Sequence, residues 1–211
     1  MLGVFDRPIS GWNHALKAVE DIVLGQLFVL LASPILGLIA LAIKLDSPGP
    51  ILFRQVRYGF NNNTIEVMKF RTMYTHMEDR AADVLTTRDD PRVTRVGRFL
   101  RKWSLDELPQ LFNVLRGEMS IVGPRPHGLA AKAAGRRYEE VTEHYAARHK
   151  VKPGITGWAQ VNGWRGETDT VDKIKKRVEY DLDYIDNWSI WLDLYVIAKT
   201  VFVIFDNRDT F

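Results

Sequence analysis

A stretch of 22 consecutive residues without a charged side chain, residues 22–43, constrains this chain more than any other feature of its sequence. Glu20 and Asp21 precede the stretch, and Lys44 follows it. A straight α-helix of that length would measure about 33 Å, which is enough to cross a bilayer. The stretch therefore predicts a membrane-associated helix, and a straight span is its simplest form.

Ser33-Pro34 interrupts this stretch near its centre. Proline has no backbone N–H and its ring crowds the carbonyl of Leu30, so the helix should kink, and the Ser33 hydroxyl is placed to satisfy a freed backbone group. A helix broken here can also enter the membrane and return to the same face as a re-entrant anchor. The residues leave both topologies open. A cleaved signal peptide fits poorly, because the apolar stretch is too long and acidic residues precede it.

Periodicity predicts mixed secondary structure in the rest of the chain. Residues 51–58 and 64–73 read as the two strands of a hairpin with a loop at 59–63. The second strand would present one face made of Ile65, Val67, Lys69, Arg71 and Met73. Residues 105–115, 135–150 and 171–185 read as helices, the last amphipathic with Arg177 on its charged face. Before the apolar stretch, Ile9, Trp12, Leu16 and Val19 recur as in an interfacial helix, and residues 188–205 suit either a membrane interface or a buried core helix.

Composition excludes several kinds of site. The chain has no cysteine, which excludes a disulfide framework, a thiol nucleophile and thiolate metal sites. It has 29 basic residues and a net charge of +3, which favours phosphates, nucleic acid or an anionic membrane surface as partners. There is no P-loop, no G-x-S-x-G elbow, no H-E-x-x-H and no dinucleotide-binding glycine motif.

Two short segments carry candidate chemistry. Ser104-Leu105-Asp106-Glu107-Leu108-Pro109 places adjacent carboxylates at a predicted helix start, where they suit Mg²⁺ and chemistry on a phosphate. The structural alternative is a capping box between Ser104 and Glu107, with Asp106 only complementing the helix dipole. In Gly123-Pro124-Arg125-Pro126, prolines on both sides stiffen the backbone around one arginine, which favours a preset phosphate clamp or a plain turn.

Four motifs follow one another along the chain. They are Lys69-Phe70-Arg71-Thr72-Met73, Ser104-Leu105-Asp106-Glu107-Leu108-Pro109-Gln110-Leu111, Val122-Gly123-Pro124-Arg125-Pro126 and Lys152-Pro153-Gly154-Ile155-Thr156-Gly157-Trp158. In order and spacing the set resembles the bacterial sugar transferases, which are monotopic polyprenyl-phosphate phosphoglycosyl transferases. The resemblance extends from about Lys17 to the end of the chain, and four motifs in register are highly specific.

The resemblance implies an α/β (α+β) monotopic membrane protein. Residues 1–50 would form an amphipathic segment and a re-entrant helix hairpin broken at a Ser-Pro pair, which Ser33-Pro34 matches. Residues 51–211 would form a catalytic domain with a small β-hairpin or sheet and several amphipathic, interfacial helices. The family's location implies the bacterial inner (cytoplasmic) membrane, with the active site facing the cytoplasm.

The resemblance also implies transfer of a sugar 1-phosphate from a UDP-sugar to undecaprenyl phosphate, with release of UMP and with Mg²⁺ as cofactor. By the family pattern Asp106 is the nucleophile that forms an aspartyl-phosphosugar intermediate, and Glu107 is its acidic partner. Both are candidate Mg²⁺ ligands. The residues matching the family's phosphate- and substrate-binding positions are Lys69, Arg71, Arg101 and Arg125.

The run Asn162-Gly163-Trp164-Arg165-Gly166-Glu167-Thr168 is most similar to the undecaprenyl-phosphate glucose phosphotransferases. This similarity implies glucose 1-phosphate as the transferred group, in the first membrane step of exopolysaccharide or other glycoconjugate synthesis. Those proteins usually carry a further multi-span membrane domain, so we expect this chain to correspond to their catalytic part. The expected partners are the UDP-sugar, undecaprenyl phosphate and membrane lipids, and a homo-oligomer stays open.

The competing class is a non-enzymatic, membrane-tethered basic module that binds anionic lipid or nucleic acid. It predicts strongly salt-dependent binding without Mg²⁺ and without turnover. We expect no nucleic-acid partner, because the net charge is only +3 and no nucleic-acid-binding motif occurs.

Overall fold

The computed structural model describes residues 9, 11–77, 90–128, 132–133, 136–142, 144–166 and 170–206 of the chain. The helices in this part are α1 (Trp12–Asp46), α2 (Arg95–Lys102), α3 (Gln110–Leu115), α4 (Tyr138–Val141), α5 (Trp158–Val161), α6 (Val171–Asp186) and α7 (Ile190–Asp206). The strands are β1 (Leu52–Tyr58), β2 (Thr64–Phe70), β3 (Ser120–Val122), β4 (Lys132–Ala133), β5 (Arg136–Arg137) and β6 (Gly154–Thr156). The mixed fold class with one long apolar helix near the amino terminus is therefore confirmed.

Helix α1 includes the whole uncharged stretch and is long and apolar enough to cross a membrane. Pro34 lies inside it, and the Ser33 hydroxyl donates to the carbonyl of Leu30 at 2.8 Å, as the sequence predicted. The helix is nevertheless continuous, so the predicted division into a hairpin of two helices is not confirmed. Trp12 begins the same helix and is 85% exposed, so the interfacial segment is not a separate element.

Both ends of α1 pack against the rest of the chain. Near its start, Asp21 accepts hydrogen bonds from the Ser120 hydroxyl at 2.9 Å and from the Ile121 amide at 3.0 Å, both in β3. At its end, Asp46 accepts from the Val96 amide of α2 at 3.1 Å. Residues 26–38 lie between these contacts, and none of them is buried. The middle of α1 is therefore mostly exposed, with Phe28 and Leu36 only partly buried against the core.

The predicted β-hairpin is confirmed in β1 and β2. The two strands pair antiparallel from Leu52 opposite Phe70 to Tyr58 opposite Thr64. Strand β2 ends at Phe70, three residues earlier than predicted, and Arg71 donates its amide to Ile51 instead. The alternation of the strand therefore stops before Arg71.

Two of the sequence motifs meet at the parallel pair of β3 and β6. Gly123 donates its amide to Thr156, and Gly154 donates its amide to Pro124, both at 2.9 Å. A Cβ atom on Gly154 would lie 2.1 Å from the Gly123 nitrogen, so the backbones approach as closely as glycine alone permits. This contact fixes the loop that carries Arg125.

The carboxyl-terminal helices enclose the core. Helix α6 follows the predicted period, and Ile174, Val178 and Ile185 are buried. Placing Arg177 on the charged outer face was wrong, because its side chain is buried. Helix α7 combines the two alternatives, a buried core helix and a helix at a membrane interface. Val196 is fully buried on one face. The opposite face exposes large apolar side chains, which include Trp191, Leu194, Tyr195, Phe202 and Phe205.

Two other predicted helices differ from the structure. The helix expected over residues 105–115 is a 3₁₀ turn, Leu105–Glu107, followed by α3 after Pro109. Of residues 135–150, the described part contains α4 and a separate 3₁₀ segment, Tyr145–Lys150.

Candidate active site

The two adjacent carboxylates lie on the Leu105–Glu107 turn, which begins after Ser104. Ser104 has φ 53° and ψ 23°, in the left-handed region that residues other than glycine rarely occupy. Its side chain makes no capping bond, and its Oγ accepts a hydrogen bond from Arg165. The capping-box alternative is therefore wrong. A strained residue thus lies two positions before Asp106, and such strain is common at functional sites.

Glu107 is held by two cations. Its Oε1 accepts from the Lys69 ammonium at 2.8 Å, and the Arg125 guanidinium bonds both carboxylate oxygens, at 2.5 and 3.0 Å. Burial by itself raises the pKa of the Glu107 carboxyl, but the attraction of Arg125 and Lys69 outweighs burial and holds this pKa well below its usual range. Glu107 is therefore an ionised anchor that brings together three of the sequence motifs.

Asp106 has different surroundings, although it is the next residue. Its side chain is 9% exposed, and within the described part of the chain its carboxylate accepts no hydrogen bond. Burial raises its pKa above the ordinary value; the nearby cation of Lys69 opposes this shift and the anion of Glu107 adds to it. The Asp106 oxygens are therefore the ones left for a ligand.

Arg101 completes the cationic surroundings of Asp106. It lies in the last turn of α2, and its Nε donates to the Thr72 hydroxyl at 2.8 Å. Burial lowers the pKa of Arg101, and the negative charge of Asp106 is the largest influence that opposes this. Lys69, Arg101, Arg125 and the acidic pair are thus brought together as the sequence motifs indicated.

Arg71 is not part of this cluster. Its guanidinium donates to the backbone carbonyls of Ser47 and Pro48 at 2.7 and 2.5 Å and to the Thr75 hydroxyl at 2.7 Å. The side chain is 1% exposed. Arg71 therefore holds the turn that follows α1.

Four basic residues near Arg125 were missed by sequence reasoning. Arg148 donates to Nδ1 of the buried His127 at 2.6 Å, and Arg177 lies 3.4 Å from Nε2 of the same ring. Burial lowers the pKa of His127 well below its ordinary value, and both arginines add to this shift. The fourth residue is Arg57: burial lowers its pKa to about 10, and the nearby positive charge of Arg125 adds to this shift.

A sequence signal existed only for Arg57. In β1 the exposed residues Arg54 and Val56 alternate with the buried or half-buried Gln55 and Arg57. Strand alternation therefore places two polar side chains on the inward face, which is unusual and could have been noticed. Of the other three residues, His127 directly follows the motif that contains Arg125, whereas Arg148 and Arg177 come from distant segments without a shared pattern.

Of the two predicted Mg²⁺ ligands, only Asp106 has a carboxylate that is available to hold the ion. No group of three or more acidic or histidine side chains suited to a metal occurs among the described residues. Both oxygens of Glu107 are engaged by Lys69 and Arg125, so the prediction of Glu107 as a ligand is not supported by this geometry. Asp106 is the available carboxylate, and one carboxylate together with substrate phosphates is a common Mg²⁺ arrangement.

Comparison with known proteins gives the family. The family model described as bacterial sugar transferase matches residues 12–207. The chain is 57% identical over 205 residues to the UDP-glucose:undecaprenyl-phosphate glucose-1-phosphate transferase of Escherichia coli K12, a match that covers 97% of this chain and 43% of that protein. It is 56% identical to the undecaprenyl-phosphate glucose phosphotransferase of Komagataeibacter xylinus, covering 92% of this chain and 37% of that protein.

A relative with another sugar in its name is less similar. The UDP-N-acetylgalactosamine-undecaprenyl-phosphate N-acetylgalactosaminephosphotransferase of Aeromonas hydrophila is 40% identical, over 88% of this chain and 43% of that protein. The chain spans less than half the length of these three relatives. With a family match that extends over nearly all of its residues, the chain belongs to the bacterial sugar transferase family.

Proposed function

We propose that this chain transfers a sugar 1-phosphate from a UDP-sugar to undecaprenyl phosphate and releases UMP. The observation that carries the proposal is the unequal state of the acidic pair: Glu107 is engaged by two cations, whereas Asp106 accepts no hydrogen bond within the described part of the chain. A buried carboxylate with free oxygens beside several cations is suited to attack an anionic phosphorus centre.

The reaction would proceed in two displacements. An Asp106 oxygen attacks the sugar-bearing phosphorus of the donor, and the bond from that phosphorus to the bridging oxygen breaks, so that UMP leaves with the electron pair. A phosphate oxygen of undecaprenyl phosphate then attacks the same phosphorus, releasing the Asp106 carboxylate and forming the lipid diphosphate sugar. Lys69, Arg101 and Arg125 would offset the charge of the phosphoryl groups in both steps.

Asp106 is the residue that would hold Mg²⁺, whose contribution when bound is to offset charge on the donor diphosphate. Glu107 would have a positioning role and would not bind the metal ion. By holding Lys69 and Arg125 in place, it keeps two cations preorganised beside Asp106.

Glucose 1-phosphate is the transferred group that we propose. Support comes from relatives at 55–57% identity that are named for glucose, against 40% for the relative named for N-acetylgalactosamine. The Gly163–Gly166 part of the run noted in the sequence reaches the acidic turn through Arg165, whereas Glu167 and Thr168 lie outside the described residues. A role in exopolysaccharide or other glycoconjugate synthesis would follow from this transfer.

We further propose that α1 is a re-entrant anchor at the cytoplasmic face of the bacterial inner membrane. The contacts of Asp21 with β3 and of Asp46 with α2 support this topology, because both ends of a straight span could not reach one body on one side of the bilayer. The exposed apolar face of α7 would add an interfacial contact with lipid.

The test is UMP release by the full chain in detergent or nanodiscs with Mg²⁺, using UDP-glucose, UDP-galactose, UDP-N-acetylglucosamine and UDP-N-acetylgalactosamine. Without lipid acceptor, we expect about one UMP per enzyme and a gain of one sugar-phosphate mass, both absent in Asp106→Asn. Near-normal turnover by Asp106→Asn would end the covalent mechanism. Salt-dependent vesicle binding without UMP release from any donor would support the basic-module alternative instead, and preference for an N-acetylated donor would overturn the assignment of glucose.

A further inference from the structure

Arg57 reaches the active site from a strand that none of the four sequence motifs includes. It lies near the end of β1, and its backbone forms an antiparallel bridge with Gly128, three residues after Arg125. The next residue, Tyr58, donates its amide to the His127 carbonyl at 3.4 Å. The segment after Arg125 is thus attached to the end of β1, and this attachment brings Arg57 within electrostatic reach of Arg125.

Arg57 has no carboxylate partner in the described part of the chain. Its Nε and Nη2 both bond the neutral Oε1 of Gln55, the Nε at 3.1 Å, and no ion pair involves it. The neighbouring arginines differ: Arg125 is paired with Glu107, and Arg148 with Asp181 at 2.6 Å. A half-buried guanidinium without a counter-charge, within electrostatic reach of a second guanidinium, makes an environment that an anion would stabilise.

Arg57 and Asp106 are influenced by different sets of charges. The largest electrostatic influences on Arg57 come from Arg125 and Glu107, whereas the largest on Asp106 come from Lys69 and Glu107. Glu107 and Arg125 therefore lie within electrostatic reach of both Asp106 and Arg57. An anion that touches Asp106 and an anion that touches Arg57 would both lie near the same ion pair.

We propose that Arg57 binds the phosphate that leaves with the nucleotide, next to the phosphoryl group that Asp106 attacks. The inference rests on the proposed function, because a donor diphosphate presents two phosphoryl groups in sequence. The planar guanidinium, already oriented by Gln55, can offer its remaining donors to two oxygens of one phosphate. Charge accumulates on this phosphate as the bridging bond breaks, so Arg57 would act mainly in the first displacement.

The same chemistry could serve the phosphate of the lipid acceptor, and the experiment separates the two sources. Arg57→Gln and Arg57→Lys would be prepared in the full chain. Arg54→Gln is the matched control, because Arg54 lies on the same strand, is exposed and pairs with Glu66 at 3.6 Å on the surface. Three quantities are measured: binding of UMP against uridine, single-turnover UMP release without acceptor, and discharge of the preformed intermediate by undecaprenyl phosphate.

We expect Arg57→Gln to weaken UMP binding and to slow UMP release by about 10- to 100-fold, while uridine binding and discharge change less than about twofold. Arg57→Lys should recover part of both losses, and it keeps the positive charge if the glutamine variant fails to fold. Arg54→Gln should match the wild type in all three measurements.

Two results would overturn the proposal. Slower discharge with normal UMP release would assign Arg57 to the lipid phosphate, and unchanged kinetics with unchanged UMP binding would leave it a purely structural residue. Failure of the proposed function is distinguishable, since the wild type would then release no UMP from any donor. The comparison of UMP with uridine would still decide whether Arg57 binds the nucleotide phosphate.

Discussion

At the residue scale, the acidic pair shows how adjacent side chains of the same charge acquire opposite properties. The pKa of Glu107 is lowered by Arg125 and Lys69, whereas the pKa of Asp106 is raised by burial. An engaged carboxylate stabilises the fold at neutral pH, and a buried carboxylate without hydrogen bonds costs stability. The Asp106 carboxylate therefore lowers the folding stability of the protein. Such a loss is expected of a group kept available for a reaction, and it is not expected of a residue with a purely structural role.

This difference predicts that Asp106→Asn does not destabilise the protein at neutral pH. Because the folded pKa of Asp106 lies above the unfolded value of about 3.9, its contribution to stability is complete below that value and is lost as the pH rises through the folded pKa. Thermal unfolding in detergent should therefore show Asp106→Asn at or above the wild-type Tm at pH 7, with the difference shrinking towards pH 4. A Tm well below the wild type at pH 7 would contradict this account.

Glu107→Gln should have the opposite effect on stability to Asp106→Asn. It leaves Lys69 and Arg125 without their shared anion, so we expect a loss of about 3 kcal/mol in the free energy of unfolding at pH 7. The contribution of Glu107 is present above its unfolded pKa and is lost as the pH falls towards its folded pKa. The deficit of Glu107→Gln should therefore shrink in acid, and urea unfolding at several pH values measures it.

At the element scale, helix α2 is positioned by the absence of a side chain. A Cβ atom on Gly97 would lie 2.1 Å from the backbone carbonyl oxygen of Thr72, the residue whose hydroxyl holds Arg101. The side chain of Thr94 accepts from the Gly97 amide at 2.9 Å and caps the same helix. The close approach of α2 to Thr72 therefore decides where Arg101 points.

We predict that Gly97→Ala destabilises the protein by about 1–3 kcal/mol through overpacking and slows UMP release, because α2 must move away from Thr72. Gly37→Ala is the matched control, since a Cβ atom on Gly37 meets nothing within 4 Å. Urea unfolding and single-turnover UMP release measure the two effects. Equal behaviour of both variants would show that the approach at Gly97 is not needed.

Helix α1 is the second element with a testable consequence. The chain has no cysteine, and Asn13 and Lys44 are exposed near opposite ends of the helix. Asn13→Cys and Lys44→Cys should both react with an impermeant thiol reagent from the same side of oriented vesicles, because both ends of α1 contact one body. Labelling from opposite sides would establish a straight span, and Pro34→Leu should shift some molecules towards it.

At the scale of the whole molecule, a buried polar network attaches α1 to the carboxyl-terminal helices. Asp193 of α7 is fully buried and accepts from Lys17 of α1 at 2.6 Å, from the Tyr184 hydroxyl of α6 at 2.8 Å and from the Trp188 indole at 3.1 Å. Lys17 also bonds Asp21, which in turn holds β3. Three helices and one strand therefore meet at a single group of paired charges.

We predict that Asp193→Asn lowers the free energy of unfolding by about 3 kcal/mol, because Lys17 loses a buried counter-charge. Hydrogen exchange should increase in both α1 and α7, which this network joins. Asp186→Asn, at an exposed position of α6, is the matched control and should behave as the wild type. Loss of stability with exchange increased in α7 alone would contradict a role in attaching α1.

Sequence reasoning succeeded for several properties that depend on neighbours along the chain. The β-hairpin, the period of α6 and the hydroxyl of Ser33 bonded to Leu30 all follow from spacing within a few residues. The acidic pair, Lys69 and Arg125 were also identified, because each lies in one of the four motifs. The family itself followed from four motifs in register, and the comparisons confirmed it.

Tertiary structure alone decided which charged groups meet and what state each takes. Lys69 and Arg71 share a face only while the strand continues; β2 ends at Phe70, so one residue binds Glu107 and the other holds the turn after α1. Arg57 joins Arg125 because β1 bridges to Gly128, a contact between segments about seventy residues apart. A pKa or a buried ion pair depends on the full set of surrounding charges and on exclusion from water, and neither exists until distant segments have packed.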